Sequence, residues 1–294
     1  MAPSQEAPQP TNPFVMPESG TLIAWLYDLD KNLTDAMGGV LSERENAFAD
    51  VQEVLDLACG SGGWVLDVAH RHPDISVTGV DLNESLMTYV KAHAKVQNLE
   101  NAHFHVMNIL QPMDFPDESF DLINARTLFS SLSPADWPPL LQECKRLLRP
   151  GGILRLTELE RLNTSSPALE HMWDVYASAL YVTGRSFSPD GKRIGIVPHL
   201  GRLLHQAGFQ NIQNKAHTPD ISAWAPGFTR WRLQDDIAWV LNRQFIVGSK
   251  VVGPEEYNQL REQVKLEWLA EDFSGIAFFF TAWGSKPEDA AKSE

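Results

Sequence analysis

A glycine-rich turn between two apolar segments is the part of this sequence whose residue types and spacing point most directly to chemistry. Residues 54–64 read VLDLACGSGGW, an apolar strand followed by glycines and the start of a helix. A turn with few side chains lets backbone N–H groups approach a ligand closely. Asp81 ends a second apolar segment about twenty residues later, where a carboxylate suits the two hydroxyls of a ribose. The pattern predicts a site for an adenosine-containing cofactor.

Two classes of cofactor compete for this pattern. The spacing Ala58-x-Gly60-x-x-Gly63 is within one residue of the dinucleotide fingerprint, which favours a nicotinamide cofactor. Asp56 favours the other class, because a carboxylate beside the turn repels a pyrophosphate. S-adenosylmethionine has no phosphate, and its sulfonium and amino group are favoured by a nearby acid.

Four motifs in a fixed order carry a family resemblance. They are residues 56–62, 77–83, 120–126 and 147–154, which read DLACGSG, VTGVDLN, FDLINAR and LLRPGGIL. In that order they resemble motif I, the ribose-binding strand, motif IV and the turn into strand five of the class I S-adenosylmethionine-dependent methyltransferases. Ala58 stands where motif I usually has its first glycine, and is a common small replacement. The resemblance covers roughly residues 50–160, and four ordered motifs are more specific than any one.

The resemblance implies an α/β fold, with a Rossmann-like, doubly wound, seven-stranded and mostly parallel sheet, a last strand that is antiparallel, and a helical cap. The alternation of apolar runs with helical periodicity indicates a parallel sheet independently. Strands are predicted at 52–57, 75–80, 102–107, 120–125, 152–158, near 209–216 and within 275–283. Helices are predicted at 62–71, 84–97, 134–147, from Ser166-Pro167, near 198–207 and near 254–269. Ser133 and Pro134 are the predicted cap and first turn of the helix over 134–147.

Composition changes along the chain predict its organisation. Prolines in residues 1–17 indicate a disordered leader, and apolar residues at helical spacing predict an N-terminal helical lid over 18–49, with a second short helix at 41–48. The remaining segments are a cofactor-binding core at 50–160, a cap and substrate region at 161–250 interleaved with late core elements, a final helix and strand at 251–284, and a tail at 285–294. The aromatic-rich segment 219–250 lines a pocket or forms an interface, so a homodimer is left open.

Charge and composition limit the partners. The net charge of −14, with no cluster of basic residues, argues against a nucleic-acid partner. No apolar stretch is long enough to cross a bilayer and no secretion signal is present, so no membrane partner is expected. Cys59 and Cys144 are the only cysteines, which argues against a disulfide framework and for a cytoplasmic protein.

The resemblance assigns expected roles to the residues of the turn and of the strand ends. Gly60 and Gly62 form the turn under the methionine part of the cofactor, and Asp56 anchors its amino group. Asp81 accepts hydrogen bonds from both ribose hydroxyls. A capping role for Asp56 and a surface role for Asp81 are the structural alternatives.

Further along the chain, the expected contacts follow strands three and four. Asn108 stands where the family usually has an acid that binds the adenine amino group, and its carbonyl can accept the same bond. Asn124 supplies a carbonyl to the cofactor amine, while Arg126 binds a carboxylate or forms a structural salt bridge. Tyr27 is the candidate lid contact. The remaining expected cofactor contacts are Ala58, Cys59, Leu82, Met107 and Ile109.

The sequence does not identify a catalytic base. The candidates for proton removal are Glu158, His171, Tyr176 and His199, each with a packing or surface role as the alternative. His103 and His105 alternate on a strand without further ligands at matched spacing, so no metal site is predicted.

The function implied by the resemblance is transfer of a methyl group to an O, N or C atom of a small-molecule acceptor. An in-line displacement needs orientation and a dry cavity more than strong acid–base chemistry. Aromatic residues in the cap suit a small, partly apolar acceptor such as a lipid-like or quinone-like molecule. The alternatives are a relative that binds the cofactor without methyl transfer, an NAD-dependent oxidoreductase and a protein methyltransferase.

Overall fold

The computed structural model describes residues 20–43 and 49–288 of the chain. The leader predicted at 1–17 lies outside the described residues. So do residues 44–48 of the short helix predicted at 41–48, and residues 289–294 of the tail.

A seven-stranded sheet forms the centre of the fold. Its strands are β1 (Glu53–Leu57), β2 (Ser76–Asp81), β3 (Ala102–Val106), β4 (Phe120–Arg126), β5 (Leu148–Leu159), β7 (Gln210–His217) and β9 (Phe279–Ser285), and a separate ribbon pairs β6 (Asn163–Thr164) with β8 (Gly275–Ile276). The strand order is β3-β2-β1-β4-β5-β9-β7. Strands β1 to β5 pair in parallel, and β9 lies antiparallel between β5 and β7. The predicted Rossmann-like sheet with an antiparallel last strand is confirmed.

Helices cover both faces of the sheet. They are α1 (Gly20–Met37), α2 (Gly63–Arg71), α3 (Glu84–Val96), α4 (Trp137–Leu147), α5 (Pro167–Val182), α6 (Leu200–Gln206), α7 (Phe228–Gly248) and α8 (Pro254–Trp268), with short 3-10 turns at Leu128–Ser130 and Val197–His199. Ser166 caps α5, since its side chain accepts a hydrogen bond from the Leu169 N–H.

The predicted cap at Ser133 and Pro134 is wrong. Helix α4 begins only at Trp137. The Asp136 carboxylate accepts hydrogen bonds of 2.7 Å from both the backbone N–H and the hydroxyl of Ser133, which closes a separate turn ahead of the helix. A local hydrogen bond between side chain and backbone of this kind competes with the helical conformation of residues 133–136.

Alternate residues of each strand divide the core into two layers. Val54 packs with the residues of α2 and α3, whereas Leu55 packs with the residues of α4 and α5. This division follows from the two-residue period of a strand that is buried on both faces. It leaves the carboxyl ends of the parallel strands as the edge at which ligands bind in such sheets.

A helical cap closes over that edge. Helix α7 packs against α1 and α8, and α8 packs against α5. The Trp25 indole N–H donates to the Gln234 carbonyl at 2.9 Å, and the Gln234 side chain donates back to the Trp25 carbonyl at 3.2 Å. The N-terminal helix is therefore tied to the cap. Within residues 20–43 and 49–288, no helix is long and apolar enough to cross a membrane.

Candidate active site

One cavity of about 600 Å³ lies between the carboxyl edge of the sheet and the cap. It runs from the glycine turn after β1 to the inner faces of α5 and α7. A volume of this size lies within the range of small-molecule sites. From the sheet side its wall is formed by Ala58, Gly60, Asp81, Leu82, Met107, Asn108 and Ile109, all of which are predicted cofactor contacts.

The glycine turn has a left-handed backbone at three positions. Ala58, Gly60 and Gly62 have φ angles of 49°, 57° and 72°. Ala58 therefore adopts the conformation that favours the glycine the family usually has there. Gly62 is buried and does not line the cavity, and a Cβ on it would lie 2.9 Å from Cε1 of Phe104. Gly60 is the glycine that faces the ligand space.

Asp81 both faces the cavity and holds the turn. Its Oδ2 accepts a 3.0 Å hydrogen bond from the Gly60 N–H, and its Oδ1 accepts a 2.9 Å bond from the Asn83 N–H. Burial raises its pKa, opposed by these backbone bonds. Each carboxylate oxygen retains acceptor capacity for a further donor. The Asp81 carboxylate can therefore accept hydrogen bonds from two neighbouring hydroxyls.

Asp56 and Asn124 lie one layer below the cavity wall. The Asn124 side chain donates to Asp56 Oδ1 at 2.7 Å and accepts a 2.6 Å bond from the buried Arg155, which also pairs with Glu43. Burial raises the pKa of Asp56 to about 7. The structure does not bring these two side chains to the cavity, so a contact with the cofactor amine would have to pass through the turn or through water.

Arg126 lies in the cavity wall and connects it to the lid helix α1. Its guanidinium donates to the Thr34 hydroxyl at 3.0 Å and forms an ion pair with Asp30. Asp30 also accepts a 3.1 Å bond from the Gly63 N–H at the start of α2. Burial raises the pKa of Asp30, and Arg126 opposes this shift. No sequence motif indicated Asp30, although it is a charged residue one helical turn after Leu26 on an otherwise apolar face.

The predicted adenine end is open to solvent. Leu82 is exposed, and so is Asn108, whose side-chain oxygen accepts a 2.9 Å bond from the Leu110 N–H. Cys59 is buried behind the turn and does not reach the cavity. Tyr27 packs against His93 with ring centroids 5.5 Å apart, outside the cavity. The lid residues that line the cavity are Leu22, Trp25, Leu26 and Leu29.

Of the four candidate bases, Tyr176 lines the cavity. It shares a hydrogen bond with Ser130, and burial raises its pKa. Glu158 instead accepts bonds of 2.9 and 3.2 Å from the N–H groups of Leu128 and Phe129, where it holds the turn that forms one wall. Burial raises its pKa to about 8.

The two histidines lie away from the cavity. His171 is exposed on α5. His199 is hydrogen-bonded through Nδ1 to the Gly195 carbonyl at 2.7 Å and packs against Phe187. In the part of the chain that the structure describes, no group of three or more His, Cys, Asp or Glu residues could hold a metal ion.

Helix α7 supplies the cap wall that our sequence analysis did not resolve. Its cavity-facing side chains recur at helical spacing and are Trp231, Gln234, Asp235, Ala238, Trp239 and Asn242. Asp235 is the carboxyl group of this face and is buried. Its Oδ2 accepts bonds of 2.8 and 3.0 Å from the indole N–H groups of Trp239 and Trp268. Burial raises its pKa to about 7.

Known proteins that are similar to this chain are described as methyltransferases. A family model described as a methyltransferase domain matches residues 54–152. The demethylmenaquinone methyltransferase of Listeria monocytogenes is 27% identical over 189 residues, which cover 60% of this chain and 78% of that protein. The corresponding enzyme of Staphylococcus aureus is 25% identical, covering 60% and 75%.

Solved structures share the fold. A putative methyltransferase from Bacillus halodurans superposes with a TM-score of 0.53 at 19% identity, covering 88% of this chain and 99% of that one. The (4+2)-cyclase SpnF superposes with a TM-score of 0.51 at 19% identity, covering 92% and 98%. The matched family segment contains the glycine turn, Asp81 and β4, so residues 54–152 are similar to a methyltransferase domain, in agreement with the resemblance to the class I S-adenosylmethionine-dependent methyltransferases.

Proposed function

We propose that this protein methylates a small, largely apolar, hydroxyl-bearing acceptor, which binds between the cofactor turn and the cap. The observation that carries the proposal is one continuous cavity that joins Gly60 and Asp81 at one end to Trp173, Tyr176 and Trp239 at the other. One continuous space lets two ligands meet without leaving the protein interior. Such placement supplies much of the rate of a displacement reaction.

The sheet side of the cavity would hold the cofactor. Asp81 would bind the ribose hydroxyls, Leu82 and Ile109 would flank the adenine, and Asn108 would bind its amino group. Arg126 would orient the carboxylate of the methionine end, sharing its guanidinium with Asp30 and Thr34. When bound, S-adenosylmethionine supplies a methyl group activated by a sulfonium.

The cap side would hold the acceptor. Trp173, Tyr176 and Trp239 form an edge-to-face cluster with ring centroids 5.3 to 5.9 Å apart. Aromatic walls of this kind favour a flat apolar body. The relatives named demethylmenaquinone methyltransferases support a bicyclic, quinone-like acceptor. Because α1 and the cap cover the acceptor end of the cavity, the protein would mainly orient and desolvate the reacting groups.

Methyl transfer is tested with S-adenosylmethionine carrying a deuterated methyl group and a panel of phenols, naphthols, hydroquinones and amines. We expect mass spectrometry to find a trideuteromethyl product with at least one hydroxyl-bearing aromatic acceptor, and S-adenosylhomocysteine to form in equal amount. Cofactor binding without transfer to any acceptor would contradict the proposal and favour a non-methylating function.

A further inference from the structure

The cavity-facing side of α7 carries oxygen atoms that lack hydrogen-bond donors. Asp235 is 7% exposed, and both indole N–H groups that reach it bond to Oδ2. Among the residues that the structure describes, no group donates to its Oδ1. Since Asp235 lines the cavity, this oxygen is the acceptor it can offer to a ligand.

Asn242 offers a second acceptor two helical turns further along α7. Its side-chain N–H donates to the Ala238 carbonyl at 2.9 Å. Its Oδ1 is buried and has no hydrogen-bond partner within the described residues, and the residue is 7% exposed. A buried acceptor without a donor costs free energy unless a ligand or water completes it. Asn242 also lines the cavity.

The surroundings of these two oxygens select an uncharged donor. The neighbouring wall includes Trp173, Trp231 and Trp239, whose side chains are mainly apolar surface. A hydroxyl loses less solvation free energy than an ammonium ion when it moves from water into a cavity lined by such side chains. The chemistry that matches two acceptors in an apolar space is therefore a neutral hydroxyl on a flat body.

We propose that Asp235 and Asn242 form the subsite that binds hydroxyl groups of the acceptor, and that Asp235 accepts the proton of the hydroxyl that is methylated. This inference rests on the proposed function and names the acceptor group. As the hydroxyl oxygen forms its bond to the methyl carbon, the carbon–sulfur bond breaks with its electron pair on sulfur. The hydroxyl proton passes to Oδ1 of Asp235, so charge and atoms balance.

The protonation of Asp235 gives this subsite a pH dependence. Burial raises the pKa of Asp235 to about 7, and the neighbouring Asp236 adds to the rise. Tyr257 on α8 also interacts electrostatically with Asp235, and Arg261 on α8 pairs with Asp236. Tyr176 on α5 and Arg126 at the end of β4 line the same cavity. The carboxylate form predominates above about pH 7, and hydroxyl binding should weaken as the pH falls below this value.

The test compares 2-naphthol with 2-methoxynaphthalene, which has the same ring system but no O–H donor. Calorimetric titrations use the full chain saturated with S-adenosylhomocysteine at pH 8 and pH 6. The variants are Asp235→Asn and the matched control Asp236→Asn, whose side chain pairs with Arg261 outside the cavity. The Asn carbonyl at position 235 can still accept both indole N–H bonds, while its amide places donors where Oδ1 stood.

We expect the wild-type protein at pH 8 to bind 2-naphthol about tenfold or more tightly than the methyl ether. The ratio of the affinity for 2-naphthol to the affinity for the methyl ether should fall toward one in Asp235→Asn, and also in the wild-type protein at pH 6. Asp236→Asn should keep the wild-type ratio at pH 8. 1,4-Dihydroxynaphthalene carries two donors. Asn242→Leu should lower the affinity for this probe relative to the affinity for 2-methoxynaphthalene. An equal affinity for both naphthalene probes, or a ratio that Asp235→Asn leaves unchanged, would overturn the proposal.

The cofactor titration separates this inference from the proposed function. If S-adenosylhomocysteine binds but neither naphthalene probe does, the hydroxyl subsite is refuted and the cofactor site stands. If S-adenosylhomocysteine does not bind, the proposed function fails and the subsite fails with it.

Discussion

Two residues of the same turn serve different purposes. Gly60 faces the cavity, and a Cβ added there would meet only Leu26 at an ordinary 3.7 Å. Gly62 is buried against Val90 and Phe104, where a Cβ has no room. Both have positive φ angles. The glycine at 62 is therefore required by packing, and the glycine at 60 by backbone conformation and ligand access.

We predict that Gly62→Ala lowers the free energy of unfolding by about 2–4 kcal/mol, since overpacking adds to backbone strain. Gly60→Ala should cost only about 1–2 kcal/mol of stability, but should weaken S-adenosylhomocysteine binding. Urea unfolding and calorimetry of the two variants measure these quantities. Equal destabilisation by both substitutions would contradict the distinction.

At the scale of elements, the side chain of Asp30 connects three of them. Asp30 of α1 contacts Arg126 at the end of β4 and the Gly63 N–H at the start of α2. The lid is thus anchored at the point where the cofactor's methionine end would lie. A substitution at Asp30 should therefore affect both the packing of α1 and the cavity wall at Arg126.

We predict that Asp30→Asn destabilises the protein by about 2–3 kcal/mol, because Arg126 loses its counterion in a buried setting. Amides of α1 should exchange hydrogen faster, which mass spectrometry can detect. Asp28→Asn, on the exposed side of the same helix, is the matched control and should change neither quantity. Unaltered exchange in Asp30→Asn would show that the ion pair does not hold the lid.

Whether a strand or helix could be predicted from the sequence depended on what packs around it in the fold. The strands at 53–57, 76–81 and 120–126 lie within a residue or two of their predicted bounds, because buried parallel strands are continuous apolar runs that end at glycine or polar residues. Helix α7 was seen only as an aromatic-rich segment. It contacts the cavity, α1 and α8 on different sides, so its apolar residues do not form a single stripe.

Site residues on the sheet could be predicted because local motifs carry them. Asp81 and Gly60 line the cavity as expected, whereas Asp30 and Asp235 come from distant segments. Their roles depend on the tertiary packing of α1 and α7, which no local pattern specifies. The contrast explains why local motifs indicated residues on the sheet side of the cavity and none on its cap side.

At the scale of the whole molecule, three buried carboxyl groups set a pH dependence of stability. Burial raises the pKa of Asp56 and Asp235 to about 7 and of Glu158 to about 8. Between pH 7 and 8 the folded chain therefore holds protons that the unfolded chain has released. Stability then falls as the pH rises through this range.

We predict that the free energy of unfolding decreases by about 1–2 kcal/mol between pH 7 and pH 8. The histidines with lowered pKa values, His105 and His217, act in the opposite direction but below their ordinary value of 6.5. Urea titrations at the two pH values measure the change, and Asp235→Asn should reduce it. A stability that rises over this interval would contradict the assignment of these carboxyl groups.

The central claim is that the glycine turn and Asp81 bind S-adenosylmethionine. The most direct measurement is calorimetric titration of the wild-type protein and Asp81→Ala with S-adenosylhomocysteine and NAD, with Asp74→Ala as an exposed acidic control. We predict micromolar binding of S-adenosylhomocysteine, no binding of NAD, and a loss of about 1–3 kcal/mol of binding free energy in Asp81→Ala alone. Binding of NAD in place of S-adenosylhomocysteine, or an unchanged affinity in a folded Asp81→Ala protein, would contradict the account.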